Sequence, residues 1–187
     1  MATRSATHDD WTVAQLHALP DDGNRYEIID GALYVTPAPR YVHQWALQVL
    51  SEHLLPFARA NALDVMCLAA DIQYSDRTLV QPDLFVFPRV PGKRITEWAD
   101  VQPLRLVVEA LSPSTRRRDR TVKRKLYLSE GIPEYWMLNI EARTIERWRL
   151  ESAEAEIVST TLDWHPVPSR APLRIDVVEF FRTVHGD

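Results

Sequence analysis

Two acidic residues of this chain stand where acid is costly. Asp83 lies in Val80-Gln81-Pro82-Asp83-Leu84-Phe85-Val86-Phe87, and Glu109 lies in Leu104-Arg105-Leu106-Val107-Val108-Glu109-Ala110-Leu111. Both runs are otherwise apolar and strand-like, and a carboxylate inside a buried strand must be paired, hydrogen-bonded or bound to a cation. The spacing leaves room for a strand, a loop and a return strand, so the two acids can sit side by side. Neighbouring carboxylates form a hard oxygen site suited to Mg²⁺ or Mn²⁺ with several waters retained. The alternative is that each acid pairs with an arginine of the basic run that follows them.

That run supplies the third element of chemistry. Arg116, Arg117, Arg118, Arg120, Lys123, Arg124 and Lys125 are opposed within their window only by Asp119, although the whole chain carries a net charge of −4. A basic stripe on an acidic body presents phosphate-directed charge locally; the competing reading is a solvated helix face. Asp119 and Lys123 are spaced i, i+4, and Lys123 shares its side with Tyr127, so this side can approach the end of the Glu109 strand. A lysine ammonium there could polarise a water or steady a phosphate, and could equally pair with Asp119 alone. Glu27 and His43 are weaker candidates for an outer ligand or a proton acceptor.

The elements that must hold these groups follow from pattern. Trp11 to Leu19 reads as a short helix before Pro20, and Tyr26–Ile29, Asp30-Gly31 and Ala32–Val35 as a β-hairpin. Val42, Trp45, Ala46, Val49 and Leu50 recur with helical spacing towards Ala60, a helix that Pro56 is expected to kink or shorten. Three strands are expected at Asp64–Tyr74, Leu79–Phe87 and Leu104–Leu111. A helix follows from Arg116 to Glu130, with Val122, Leu126 and Ser129 along one side and Gly131 ending it. Glu134–Leu138 and Thr144–Leu150 read as strands, and Leu173–Phe181 as strand then helix. The order at the centre is helix, strand, strand, strand, helix, strand: a mixed α/β plan with a helix on each face of the sheet. Residues 1–24 are expected to be an N-terminal extension carrying the short helix, and residues 25–187 one domain.

Composition excludes other classes. The chain has 187 residues, 13 prolines, five glycines and one cysteine. Neither GxGxxG nor GxxxxGK[ST] occurs, which removes the glycine-loop nucleotide folds. Gly-x-Ser-x-Gly is absent, and one cysteine gives no Cys/His zinc spacing. Cys67, in a run that reads as buried strand, cannot form an intrachain disulfide, and a reducing cytoplasmic location is expected. No run of about 18 apolar residues and no signal core occurs, so no membrane association is expected.

The string Val108-Glu109-Ala110-Leu111-Ser112-Pro113-Ser114-Thr115-Arg116-Arg117-Arg118-Asp119-Arg120, followed by Lys123, Tyr127 and Gly131-Ile132-Pro133-Glu134-Tyr135-Trp136, closely resembles the signature of the Uma2 family, endonucleases of the PD-(D/E)XK superfamily. Tyr26-Glu27-Ile28-Ile29-Asp30-Gly31, His43 and Gln81-Pro82-Asp83 resemble its remaining marks, and the likeness runs over about residues 25–182. It implies a restriction-endonuclease-like core, extended by the N-terminal hairpin and C-terminal strands, and Mg²⁺-dependent (or Mn²⁺-dependent) phosphodiester cleavage. Asp83 and Glu109 would be the metal ligands, and Arg116, Arg117, Arg118, Arg120 and Arg124 the grip on nucleic acid, DNA being the expected substrate. In one respect the chain departs from the superfamily: the lysine of E-x-K would fall at position 111, which is Leu111. The Uma2 lysine matches Lys123, which becomes the third catalytic candidate with Lys125 as its neighbour and rival. The resemblance also implies a homodimer, since cutting two strands takes two sites. The rival to a nuclease is a non-catalytic nucleic-acid-binding or assembly module on the same fold.

Overall fold

The computed structural model describes residues 3–4, 10–68, 70–92 and 94–187. The chain opens on β1 (Thr3–Arg4) and α1 (Val13–His17), whose N-terminus is closed by a capping box between Thr12 and Gln15. The hairpin β2 (Arg25–Ile29) and β3 (Ala32–Thr36) turns on Asp30 and Gly31, both at positive φ (52° and 82°), the conformation a two-residue hairpin turn of this hand requires. Alternation along β2 sends Tyr26 and Ile28 against Val13 and Leu16 of α1. Arg25, Glu27 and Ile29 therefore face the opposite way, towards the rest of the protein.

Helix α2 (Tyr41–Ala60) buries Ala46, Leu47, Val49, Leu50, Leu54 and Ala58 along one stripe, and continues through Pro56 to Ala60. After it come β4 (Leu63–Met66), β5 (Ile72–Ser75), β6 (Thr78–Val80), β7 (Leu84–Pro88) and β8 (Leu106–Ala110). The expected single strand Asp64–Tyr74 is thus two strands, and so is Leu79–Phe87. In each case the halves belong to different sheets: β6 and β5 extend the hairpin in the order β1-β3-β2-β6-β5, whereas β4 and β7 join the central sheet. Pro82, which has no N–H to give a ladder, lies where the chain changes sheets. Asp83 therefore sits just before β7, at the seam, and not within a strand. Cys67, expected in a buried strand, follows the end of β4 and is half-buried.

Between β8 and β9 (Glu134–Asn139) runs one helical crossover of three parts: α3 (Arg116–Arg118), a π-helical turn at Asp119–Lys123, and α4 (Arg124–Ser129). This crossover makes β8 and β9 the parallel pair of the central sheet. Gly131, at φ 74°, ends it. The buried side differs from the expected Val122–Leu126–Ser129 stripe. It carries Asp119, Lys123, Leu126 and Tyr127, with Ser129 exposed, because Lys123 finds carboxylate partners inside. The sheet is completed by β10 (Thr144–Arg149) and β11 (Glu156–Val158), in the order β11-β10-β9-β8-β7-β4. The chain ends with β12 (Thr161–Trp164) paired to β13 (Leu173–Asp176), then α5 (Val177–His185), where Asp176 caps the helix by accepting from Glu179 N. Neither β11 nor β12 is among the strands expected from sequence, although Thr161-Leu162-Asp163-Trp164 alternates polar and apolar residues.

The central sheet is apolar on both faces. Leu84, Val86, Leu106, Val108, Trp136 and Leu138 meet α2 and α5 on one side. Phe85, Val107, Tyr135 and Met137 meet α4 on the other. The run α2, β4, β7, β8, α3–α4, β9 is the helix-strand-strand-strand-helix-strand order read from sequence, with β5–β6 inserted into it. Among the described residues no helix is long and apolar enough to cross a membrane.

Candidate active site

The period-two alternation of β8 places Glu109 on the same face as Val107, under the crossover helix. Leu84 pairs with Val108, so one further step of that antiparallel register brings Asp83 opposite Glu109. Asp83 Oδ2 accepts from Ala110 N at 2.9 Å, which ties the seam to the end of β8. Asp83, Glu109, Lys123, Arg25, His43 and Arg118 line one cleft of about 190 Å³. Its walls are Pro37–Arg40, between β3 and α2, and Ser112–Thr115, ahead of the crossover. Within the second wall Ser112 Oγ lies 3.0 Å from both Ser114 Oγ and Thr115 Oγ1.

Lys123 holds the middle of the cluster. Its side chain is 1% exposed, and Nζ stands 2.7 Å from Glu27 Oε1 and 2.7 Å from Glu109 Oε1. Tyr127 OH donates to the same Glu109 oxygen at 3.0 Å. Glu27 also accepts from Gln81 N at 2.9 Å and pairs with Arg118 at 3.0 Å. Lys125, two residues from Lys123, faces elsewhere: it is exposed and lines a second cleft of about 470 Å³ between the crossover helix and the β2–β6–β5 sheet. The helix therefore presents one lysine to each side, as the rotation of about 200° between i and i+2 requires.

The same shared ammonium leaves its two carboxylates in opposite states. Burial raises Glu27, but Lys123, Arg118 and Arg25 together outweigh it and bring its pKa down to about 2. Glu109 goes the other way: burial pushes it well above the usual carboxylate range, Lys123 pulls it back only in part, and Asp83, Asp119 and Glu27 add repulsion. Asp119 is also raised, by burial, despite Lys123 and Arg118. Its Oδ1 is buried without a hydrogen bond, 3.8 Å from Arg118 Nε. His43 is lowered by burial against a smaller upward pull from Asp83, so its imidazole is neutral at neutral pH and able to accept a proton.

Of the arginines read as a phosphate grip, most are engaged within the protein. Arg118 is half-buried, pairs with Glu27 and lies over the Tyr34 ring. Arg120 Nε donates to Glu146 Oε2 at 2.9 Å, Arg116 pairs with Glu141 at 3.2 Å, and Arg124 stacks on Trp148 at 4.4 Å. Arg117 is exposed and, among the described residues, has no ion pair. The paired-acid alternative also has a partner it did not name. Asp83 Oδ1 accepts from Arg25 at 2.7 Å, and Arg25, at the start of β2, lies outside the basic run. The signal that could have found it is its spacing: Arg25 stands two residues before Glu27 on an alternating strand, hence on the same face.

The site can be tested for a hard divalent ion on its donors. Among the described residues no group of three or more His, Cys, Asp or Glu side chains is placed to hold a metal. Two carboxylates meeting at a water-accessible cleft nevertheless match the Mg²⁺ pattern of one or two protein ligands completed by waters and substrate oxygens. Burial is the main cause that raises Glu109, with smaller repulsion from Asp83, Asp119 and Glu27, and Lys123 offsets it only in part. Asp83 and Glu109 therefore fit such an ion as an open pair of donors and not as a closed cage.

The fold and these residues define a class, and comparison with known proteins gives the family. The family model of Uma2, described as "Putative restriction endonuclease", matches residues 13–177, and the chain belongs to that family. Among solved structures the chain is similar to one titled as a putative nuclease belonging to DUF820 from Anabaena variabilis ATCC 29413. That match has 20% identity and a TM-score of 0.69, over 93% of this chain and 99% of the other. At that identity it speaks for the fold. No curated protein matches the sequence.

Proposed function

We propose that this protein is a metal-dependent endonuclease that hydrolyses phosphodiester bonds in DNA. The observation that carries the reading is the convergence of Asp83, Glu109 and Lys123 in one cleft of a chain whose family is described as restriction endonucleases. Asp83 and Glu109 would hold Mg²⁺ or Mn²⁺, which supplies positive charge at the scissile phosphate. Lys123 has three N–H donors, and Glu27 and Glu109 engage two of them. The third is left to orient an attacking water or to donate to a phosphate oxygen as charge develops. Tyr127 fixes the Glu109 carboxylate, and Glu27 fixes Lys123. His43, neutral at the cleft wall, can take the proton that the attacking water gives up. A homodimer, which would offer one such site to each strand, belongs to the same proposal.

One observation favours a second reading, a binding module that keeps the fold without the reaction: each acid already carries a fixed cation, Arg25 on Asp83 and Lys123 on Glu109. Incubating the protein with plasmid and with single-stranded DNA in Mg²⁺, Mn²⁺ or EDTA separates the two. Cleavage in the metals that disappears with EDTA and in Asp83→Ala is expected; no cleavage of either substrate would leave the binding module.

Binding itself gives another expected result. Arg40 and Arg117 are the exposed arginines beside the cleft and on the crossover, so Arg40→Glu and Arg117→Glu should each weaken DNA binding for all sequences. Each should also flatten the dependence of log affinity on log salt by about one unit. Titration by fluorescence anisotropy at several salt concentrations checks this, and unchanged affinity at low salt would return the basic run to a solvated face.

A further inference from the structure

Arg25 is a cation of the cleft that the proposed reaction leaves without a task. Its NH1 donates to Asp83 Oδ1 at 2.7 Å, and its other terminal nitrogen donates to the Gln81 carbonyl. The guanidinium thus clamps both the main chain and the acid of the Gln81-Pro82-Asp83 seam. Ala110 N takes the second carboxylate oxygen. Asp83 is accordingly aimed and charge-compensated before any metal arrives. We propose that Arg25 is a positioning residue that sets the divalent-ion affinity of the site by holding Asp83 in place while competing with the ion for its Oδ1. The inference rests on the reading of Asp83 and Glu109 as metal ligands.

An ion at Asp83 would be a third cation beside Arg25 and Lys123, and like charges at a few ångströms in a partly desolvated cleft repel strongly enough to weaken binding. Without Arg25, however, Asp83, whose side chain is 10% exposed, would have no counter-ion, and an uncompensated buried charge is strongly destabilising. A divalent ion is then the replacement at hand. Removing Arg25 should therefore lower the stability of the metal-free protein and tighten the folded protein's hold on metal, because the ion then relieves the uncompensated Asp83 charge with no guanidinium competing for Oδ1. A side chain with only a structural role would do the first and not the second.

The test is calorimetric titration of the full chain with Mn²⁺, together with thermal melts in EDTA and in Mn²⁺, for the parent, Arg25→Met, Arg25→Lys and Glu109→Gln. Arg25→Met is expected to melt lower than the parent in EDTA, to gain more on adding Mn²⁺, and to bind Mn²⁺ about ten-fold tighter or more. Arg25→Lys, which keeps the charge, should stay near the parent in affinity. If Arg25→Met folds only with Mn²⁺ present, that is the expected linkage at its limit; if it folds in neither buffer, the inference is overturned. Equal or weaker Mn²⁺ binding by Arg25→Met, with parent binding still abolished by Glu109→Gln, overturns the role of Arg25 and leaves the metal site standing. Failure of the parent and of Arg25→Met alike to bind Mn²⁺ overturns the metal reading, and the role of Arg25 with it.

Discussion

Replacing Glu27 by glutamine is expected to cost about 3–5 kcal/mol of stability, the usual penalty for breaking a buried ion pair from one side. Replacing Glu109 by glutamine is expected to leave the metal-free protein as stable or to stabilise it. The two changes are chemically identical, and both carboxylates touch the same Lys123 Nζ at 2.7 Å. They differ in what else surrounds them. Glu27 compensates Lys123 and Arg118 and satisfies Gln81 N, so its loss takes the close carboxylate from Arg118 and leaves buried Lys123 with Glu109 alone. Glu109 is raised above all by burial, and it has one shared cation and three acids near it. The pH dependence carries opposite signs. Glu27, lowered to about 2, contributes stability that is present above the ordinary glutamate range and is lost as pH falls towards about 2. Glu109, raised, contributes stability that is full below its unfolded pKa and is lost as pH rises through its folded one. Urea unfolding in EDTA from about pH 4 to pH 8 should show the parent losing ground to Glu109→Gln as pH rises. A Glu109→Gln variant as damaged as Glu27→Gln would show that the two acids are equivalent structural partners. Keeping a carboxylate that costs stability is the pattern of a site maintained for function.

The second large effect separates the lysines. Lys123→Met is expected to reduce DNA cleavage by about a thousand-fold, the scale of losing a preorganised donor at developing charge. Lys125→Met should leave cleavage close to the parent, since that side chain lies on the other side of the crossover helix. Lys123→Met also leaves Glu27 and Glu109 without the ammonium between them, so its stability must fall as well, and circular dichroism at the assay temperature is needed to show a folded variant. In the folded population the loss should appear in kcat with DNA affinity largely kept, because the missing interaction acts in the transition state. Equal and mild losses in both variants would reduce Lys123 to a structural counter-ion. A severe loss confined to Lys125→Met would move the chemistry to the other cleft.

How much of this was legible in the sequence depends on range. The hairpin at Asp30-Gly31, the stripe of α2 and the helix-strand-strand-strand-helix-strand order are written in local periodicity. The approach of Lys123 and Tyr127 to Glu109 follows from the i, i+4 spacing and the face of one strand. What failed was non-local. Leu79–Phe87 looks continuous because both halves are apolar, and only the sheet each half joins separates them at Pro82. Arg25 bonds Asp83 across 58 residues; the alternation of β2 gives the face of Arg25 but not that partner. The basic run reads as one stripe, yet Arg118, Arg120 and Arg124 are drawn off by Glu27 on β2 and by Glu146 and Trp148 on β10, strands of two different sheets.

Whether Asp83 and Glu109 share a divalent ion is measured directly by a calorimetric titration of the parent, Asp83→Asn and Glu109→Gln with Mn²⁺. The prediction is a binding isotherm for the parent that each substitution weakens sharply. Isotherms for both variants that overlay the parent would contradict it.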